Sequence, residues 1–178
     1  SLEVEYKWEG RFPAVQIGMM APDQHDLMDE AVTLAKEADA VILIVGTNAD
    51  WETEGNDRSS LDLPSNQNEL IENVCKLNKN TVVVLNTGSP CEMPWVDSAN
   101  AILQSWFPGQ EFGNSLSDVI FGKINPSGKL PTTFPKALSD TPAYATYPGK
   151  DLQMDYEEGL FIGYRWYDRE GVEPLFPF

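Results

Sequence analysis

Three polar loops hold the side chains best suited to chemistry. The first, Gly46 to Arg58, gathers Asp50, Glu52, Glu54 and Asp57 around Asn48, Asn56 and the indole of Trp51. The second, Asn86-Thr87-Gly88-Ser89-Pro90-Cys91-Glu92-Met93-Pro94-Trp95, and the third, Ser105-Trp106-Phe107-Pro108-Gly109-Gln110-Glu111, repeat the mixture of polar groups and flat rings. Carboxylates and amides accept hydrogen bonds from hydroxyls, and an aromatic face covers the C–H surface of a sugar ring, so the set suits a neutral polyhydroxylated ligand. Plainer readings stand beside this one. Asp50, Glu54 and Asp62 read equally as solvated surface, and Trp95 and Trp106 as lids on the core. His25 reads as a surface residue, Cys75 as a core residue on the apolar side of a helix, and Cys91 as an unpaired loop thiol.

The elements that must position these loops follow from hydrophobic period. Residues 3–8 alternate, with Val4, Tyr6 and Trp8 on one face, and Ala14 to Ile17 continues as a second strand, so residues 1–20 predict a short β-hairpin. Beyond Pro22 the period changes: Leu27, Ala31, Leu34, Ala35 and Ala38 recur at helical spacing, with Asp23 as the expected N-cap. Val41 to Val45 is a continuous apolar run of the kind buried on both faces of a parallel sheet. Leu70, Ile71, Val74 and Leu77 predict a helix, Val82 to Leu85 a second buried strand, Ala101 to Leu103 a third, and Phe112, Leu116, Val119 and Ile120 a helix closed by Gly122. Such alternation predicts an α/β layered domain with a mostly parallel sheet. In that architecture ligands meet the loops at the carboxyl ends of the strands, which is where all three polar loops fall. After Pro126 the pattern turns Pro-rich and irregular, with short strands expected near 129–134 and 161–167.

Composition narrows the partners. The 178 residues carry 12 Lys and Arg against 28 Asp and Glu, a net charge of −16. That surface repels phosphate backbones and anionic lipid, which argues against nucleic acid and membrane as partners. A single His and two Cys with no CxxC give no support to a zinc site or a His-dependent triad. Around Lys129 the glycines Gly122 and Gly128 are one residue too far apart for a phosphate loop, and Leu130 stands where a hydroxyl is needed. No GxGxxG follows the first strand, so a dinucleotide site has no support either, and with no zinc pattern neither a metal nor a cofactor is expected.

Within these loops the sequence resembles glycoside hydrolase family 3, the β-glucosidase family. The resemblance rests on Ala38-Asp39-Ala40-Val41 leading into Trp51 to Arg58 and Leu61-Asp62-Leu63-Pro64. It continues through Asn80-Thr81-Val82-Val83-Val84, Gly88-Ser89-Pro90, Trp106 to Glu111, Asn125 to Pro131, Glu158 to Arg165 and Pro174 to Phe178. It implies a three-layer α/β/α sandwich with a six-stranded sheet over residues 21–178, packed beside a (β/α)8 barrel. The hairpin of residues 1–20 is similar to the end of a β-sandwich module that some members insert there. The chain is accordingly read as part of a larger enzyme.

The resemblance also implies an activity. Members hydrolyse β-linked glucosides with retention, using an Asp nucleophile on the barrel and a Glu from a loop of the sandwich domain as general acid/base. Carried onto this chain, that Glu is Glu52, with Glu54 as the alternative because the local match slides by two residues. Trp51 is expected to bind substrate, and Asp57 and Arg58 to brace the loop as an ion pair. Neither the barrel nor its nucleophile motif is present in the sequence. A second expectation therefore stands beside the first, a non-catalytic module that binds carbohydrate or completes a neighbouring site.

Overall fold

A computed structural model describes residues 6, 7, 26–55 and 57–178. The hairpin expected over 1–20, the Asp23 cap and His25 lie outside these residues, Tyr6 and Lys7 apart. The elements run α1 (Leu27–Glu37), β1 (Val41–Gly46), α2 (Gln67–Leu77), β2 (Thr81–Asn86), β3 (Ala101–Gln104), α3 (Phe112–Ile120) and α4 (Tyr164–Glu170). The helix α1 as described is capped by Asp26. The Asp26 carboxylate accepts from the backbone N–H groups of Met28 at 2.9 Å and Asp29 at 3.3 Å, donors that have no partner inside a first helical turn.

The three described strands form one parallel sheet in the order β1-β2-β3. Val41 to Gly46 register against Thr81 to Asn86, and Val82 to Leu85 against Ala101 to Gln104. Parallel neighbours need a crossover, and α2 supplies the first one. Its apolar face, Ile71 and Cys75, enters the same buried cluster as Val45, Val83 and Leu85. Asn78 then ties the helices together: its side-chain amide donates to the carbonyls of Ala35 and Ala38, both at 2.8 Å. Each bond satisfies a carbonyl that the end of α1 would otherwise leave open.

Burial corrects the expectation for β1. Its central neighbour β2 is the buried strand, with Val83, Val84 and Leu85 all at 0 % exposure. On β1 the side chains alternate instead, and Ile42 and Ile44 stand 47 % and 54 % exposed. The reason is position: the face of β1 that carries Leu43 and Val45 packs on the core, while among the described residues the face that carries Ile42 and Ile44 is left largely uncovered.

The rest of the core sits beneath the loops. Trp95 is 1 % exposed and its indole N–H donates to Asn68 at 2.9 Å, so this ring is core and not a sugar platform. Truncating such a residue to Ala costs about 3–5 kcal/mol. Trp106 packs edge-on against Phe134 at 5.9 Å, and Phe134 against Phe176 at 6.4 Å. Phe134 also pairs antiparallel with Phe176 as an isolated bridge, which is all that remains of the strand expected over 129–134. The strand expected over 161–167 is overturned: Tyr164–Glu170 is α4, begun at Gly163 and closed by Gly171 in the left-handed region. An aromatic-rich stretch of that length reads as a strand by composition, but glycines at both ends let the chain turn into and out of a short helix.

Candidate active site

The loop after β1 is anchored at both ends before it presents any side chain. Gly46 lies so close to β2 that a Cβ there would collide with the Asn86 carbonyl. Its N–H donates to the Gln67 side-chain oxygen at 2.7 Å, and the Gln67 amide donates back to its carbonyl at 2.9 Å. The start of α2 is thereby pinned to the end of β1. Asn48 builds the turn between them. Its side-chain oxygen accepts from the N–H groups of Asp50 and Trp51, and its carbonyl from Trp51 and Glu52. This is the Asx geometry that stabilises a loop without help from the sheet.

Glu52 emerges from that turn with its side chain 16 % exposed. Three donors converge on one of its oxygens, Oε1: Thr47 Oγ1 at 3.0 Å, Ser89 Oγ at 3.0 Å and Arg58 Nη1 at 3.4 Å. Arg58 Nη1 also donates to Ser89 Oγ at 2.7 Å. The other oxygen, Oε2, lies over Gly88, where a Cβ would collide with it and would stand 2.7 Å from the Phe107 ring. Gly88 therefore has to be glycine for Glu52 and Phe107 to sit as they do. Phe107 is brought there by Trp106, a bulky residue at φ 56°. A conformation of that kind costs about 1–3 kcal/mol. It is held by the Asn86 side-chain amide donating to the Trp106 carbonyl and by the packing of the indole on Phe134.

Around Glu52 opens a concavity of about 730 Å³, whose walls include Trp51, Arg58, Ser89, Tyr144 and Tyr147. The indole N–H of Trp51 is buried and finds no acceptor among the described residues. Tyr144 and Tyr147 are 55 % and 48 % exposed, so about half of each residue is open to a ligand. The hydroxyl of Tyr147 bonds to Asp57, and this bond, with lesser help from desolvation and the carboxylate charge, pushes the phenol above its ordinary range. Leu138, also on the wall, is fixed by its N–H donating to Glu92 Oε1 at 2.6 Å. Cys91 lies in the core at 0 % exposure, and burial pushes its thiol up to about 12. Arg58 opposes that rise and Glu52 adds to it. Both cysteines are free, and Cys91 is a core group and not a surface thiol.

The structure thus brings together some of the residues singled out in the sequence and separates others. Trp51, Glu52, Asp57 and Arg58 share the concavity. Glu54, two residues beyond Glu52, is exposed and off its wall. Asp50 and Asp62 are exposed as well. The ion pair expected between Asp57 and Arg58 is not the one formed. Arg58 turns inward to Glu52, where half-buried charge is worth more, and Asp57 faces Tyr147. Sequence reasoning placed Thr47 and Ser89 in the polar loops without giving either a role, and it missed Tyr144 and Tyr147. Ser89 stands at the carboxyl end of β2, a position that could have singled it out. The two tyrosines come from an irregular stretch with no period to flag them.

A model of the "Glycosyl hydrolase family 3 C-terminal domain" matches residues 7–164. The chain is 49 % identical over 169 residues to a beta-glucosidase of Rhizobium radiobacter, covering 93 % of this chain and 21 % of that protein. It is 48 % identical over 153 residues to the thermostable beta-glucosidase B of Acetivibrio thermocellus, covering 86 % and 20 %. Among solved structures, beta-glucosidase from Kluyveromyces marxianus in complex with glucose superposes with a TM-score of 0.85 at 41 % identity, over 90 % of this chain and 19 % of that one. The chain spans about a fifth of the length of the curated relatives it matches.

Proposed function

The chain belongs to the glycosyl hydrolase family 3 C-terminal domain family, and from that premise we propose that it serves a retaining β-glucosidase, supplying Glu52 as the general acid/base toward a nucleophilic Asp on a separate (β/α)8 barrel. The substrate is a terminal β-linked glucoside. One observation carries the reading: of the two candidate carboxylates, Glu52 lines the concavity with one oxygen fully engaged, while Glu54 projects into solvent.

Retaining hydrolysis sets two carboxyl groups roughly 5–5.5 Å apart across the scissile bond. The barrel carboxylate attacks the anomeric carbon as the bond to the leaving oxygen breaks. Glu52 gives that oxygen its proton from Oε2, the atom not taken up by Thr47, Ser89 and Arg58. The resulting carboxylate then takes a proton from water, whose oxygen displaces the barrel carboxylate and restores both groups. Trp51 serves substrate binding through its ring on the wall of the concavity. The same reading extends the sheet to six strands in three layers, and the apolar Ile42 and Ile44 exposed on one face of β1 support a further layer there. It also makes residues 1–20 the end of an inserted module.

The test is Glu52→Ala in the full-length enzyme. We expect kcat/KM to fall about 10²–10⁴-fold for a substrate with a poor leaving group such as cellobiose. An activated dinitrophenyl glucoside should be nearly spared, and azide should restore its turnover as a glycosyl azide. Equal losses on both substrates, with no effect of azide, would reject Glu52.

A further inference from the structure

The hydrogen bonds around Glu52 have a direction. A guanidinium donates and never accepts, so in the 2.7 Å contact between Arg58 Nη1 and Ser89 Oγ the serine oxygen is the acceptor. The single hydroxyl proton of Ser89 is then free for Glu52 Oε1, 3.0 Å away. Thr47 and Arg58 deliver two further donors to the same oxygen. A proton placed on Oε1 would face donors on every side, whereas Oε2 meets none of these three groups.

From this polarity we propose that Ser89 is a positioning residue for the proton transfer. Locked by Arg58, its hydroxyl keeps Oε1 as an acceptor and so confines the exchangeable proton of Glu52 to Oε2. Ser89 acts through Oε1 and not on the oxygen that carries the proton. The proposal rests on the reading of Glu52 as the acid/base and adds to it which oxygen works and what selects it. It also accounts for Gly88, since only a residue without a side chain leaves room there for Oε2.

The experiment compares Ser89→Ala, Ser89→Thr and Glu52→Ala in the full-length enzyme, reading kcat/KM for cellobiose and for 2,4-dinitrophenyl glucoside. With Ser89→Ala, the cellobiose value should fall about 10–100-fold while the activated glucoside changes less than about threefold, because only the former needs the proton. Ser89→Thr, which keeps the hydroxyl, should recover most of the loss. If the alanine variant does not fold, Ser89→Cys offers a much weaker donor of similar size and should give the same split. Equal losses on the two substrates would mark Ser89 as merely structural, and an unchanged cellobiose rate would make it dispensable; either overturns the proposal while azide rescue of Glu52→Ala leaves the acid/base reading standing. Failure of that rescue overturns both.

Discussion

The inner and outer halves of the loop after β1 have opposite characters. From Thr47 to Glu52 the chain is bound to β2 through the Thr47 N–H and Asn86 carbonyl, folded on Asn48, and closed by the Glu52 carboxylate bonded to Ser89 and Arg58. From Thr53 to Asp57 the described residues are exposed, and Gly55 turns the chain at φ 84°. Glu52 in the inner half and Glu54 in the outer have the same intrinsic chemistry. Of the two, only Glu52 has donors set around its carboxylate among the described residues, and such fixed orientation is what the proposed acid/base role requires.

That contrast can be broken most severely at Gly88. Gly88→Ala places a methyl group where Glu52 Oε2 and Phe107 now lie, so the carboxylate must move. Misplacement of about 1 Å costs on the order of 10²-fold, and cellobiose kcat/KM should fall by that much with KM little changed. A variant with wild-type kinetics would mean that the inner half is not held as described.

A second consequence concerns the buried thiol of Cys91. Because the folded Cys91 thiol is raised to about 12 from 9.0, the folded chain binds this proton more tightly than the unfolded one. Its contribution to stability is complete below pH 9 and is lost as pH climbs toward 12. Chemical denaturation across pH 8 to 11 should therefore show the wild type losing stability faster than Cys91→Ala. Parallel slopes for the two proteins would place the thiol in contact with water.

The smallest effect belongs to the outer half. Glu54→Gln should change cellobiose kcat/KM by less than about threefold and stability by less than about 0.5 kcal/mol, as for a surface charge without a close partner. A loss rivalling that of Glu52→Ala, accompanied by azide rescue, would exchange the roles of the two residues.

Local pattern carried much of the fold. Apolar runs at 41–45 and 82–85 and helical spacing at 70–77 and 112–120 all became the elements expected of them, because strand and helix periods are written by neighbours a few residues apart. The limits of α1 and α4 were less legible. Asp23 and Asp26 look alike as caps in sequence, and only the hydrogen bonds of Asp26 identify it. Burial of β1 was misread because a side chain's exposure depends on what stands across the sheet, and no residue of β1 encodes that.

By itself, then, the sequence determined the parallel α/β layering, the placing of polar loops at the carboxyl ends of its strands, and a short choice of carboxylates within one of them. The tertiary structure decided which carboxylate is held. Glu52 and Ser89 are 37 residues apart and meet only because β1 and β2 are paired in register, bringing the two loops to the same rim. Arg58 prefers Glu52 to its neighbour Asp57 for the same reason: a charge seeks the partner shielded from water, and shielding belongs to the packed chain.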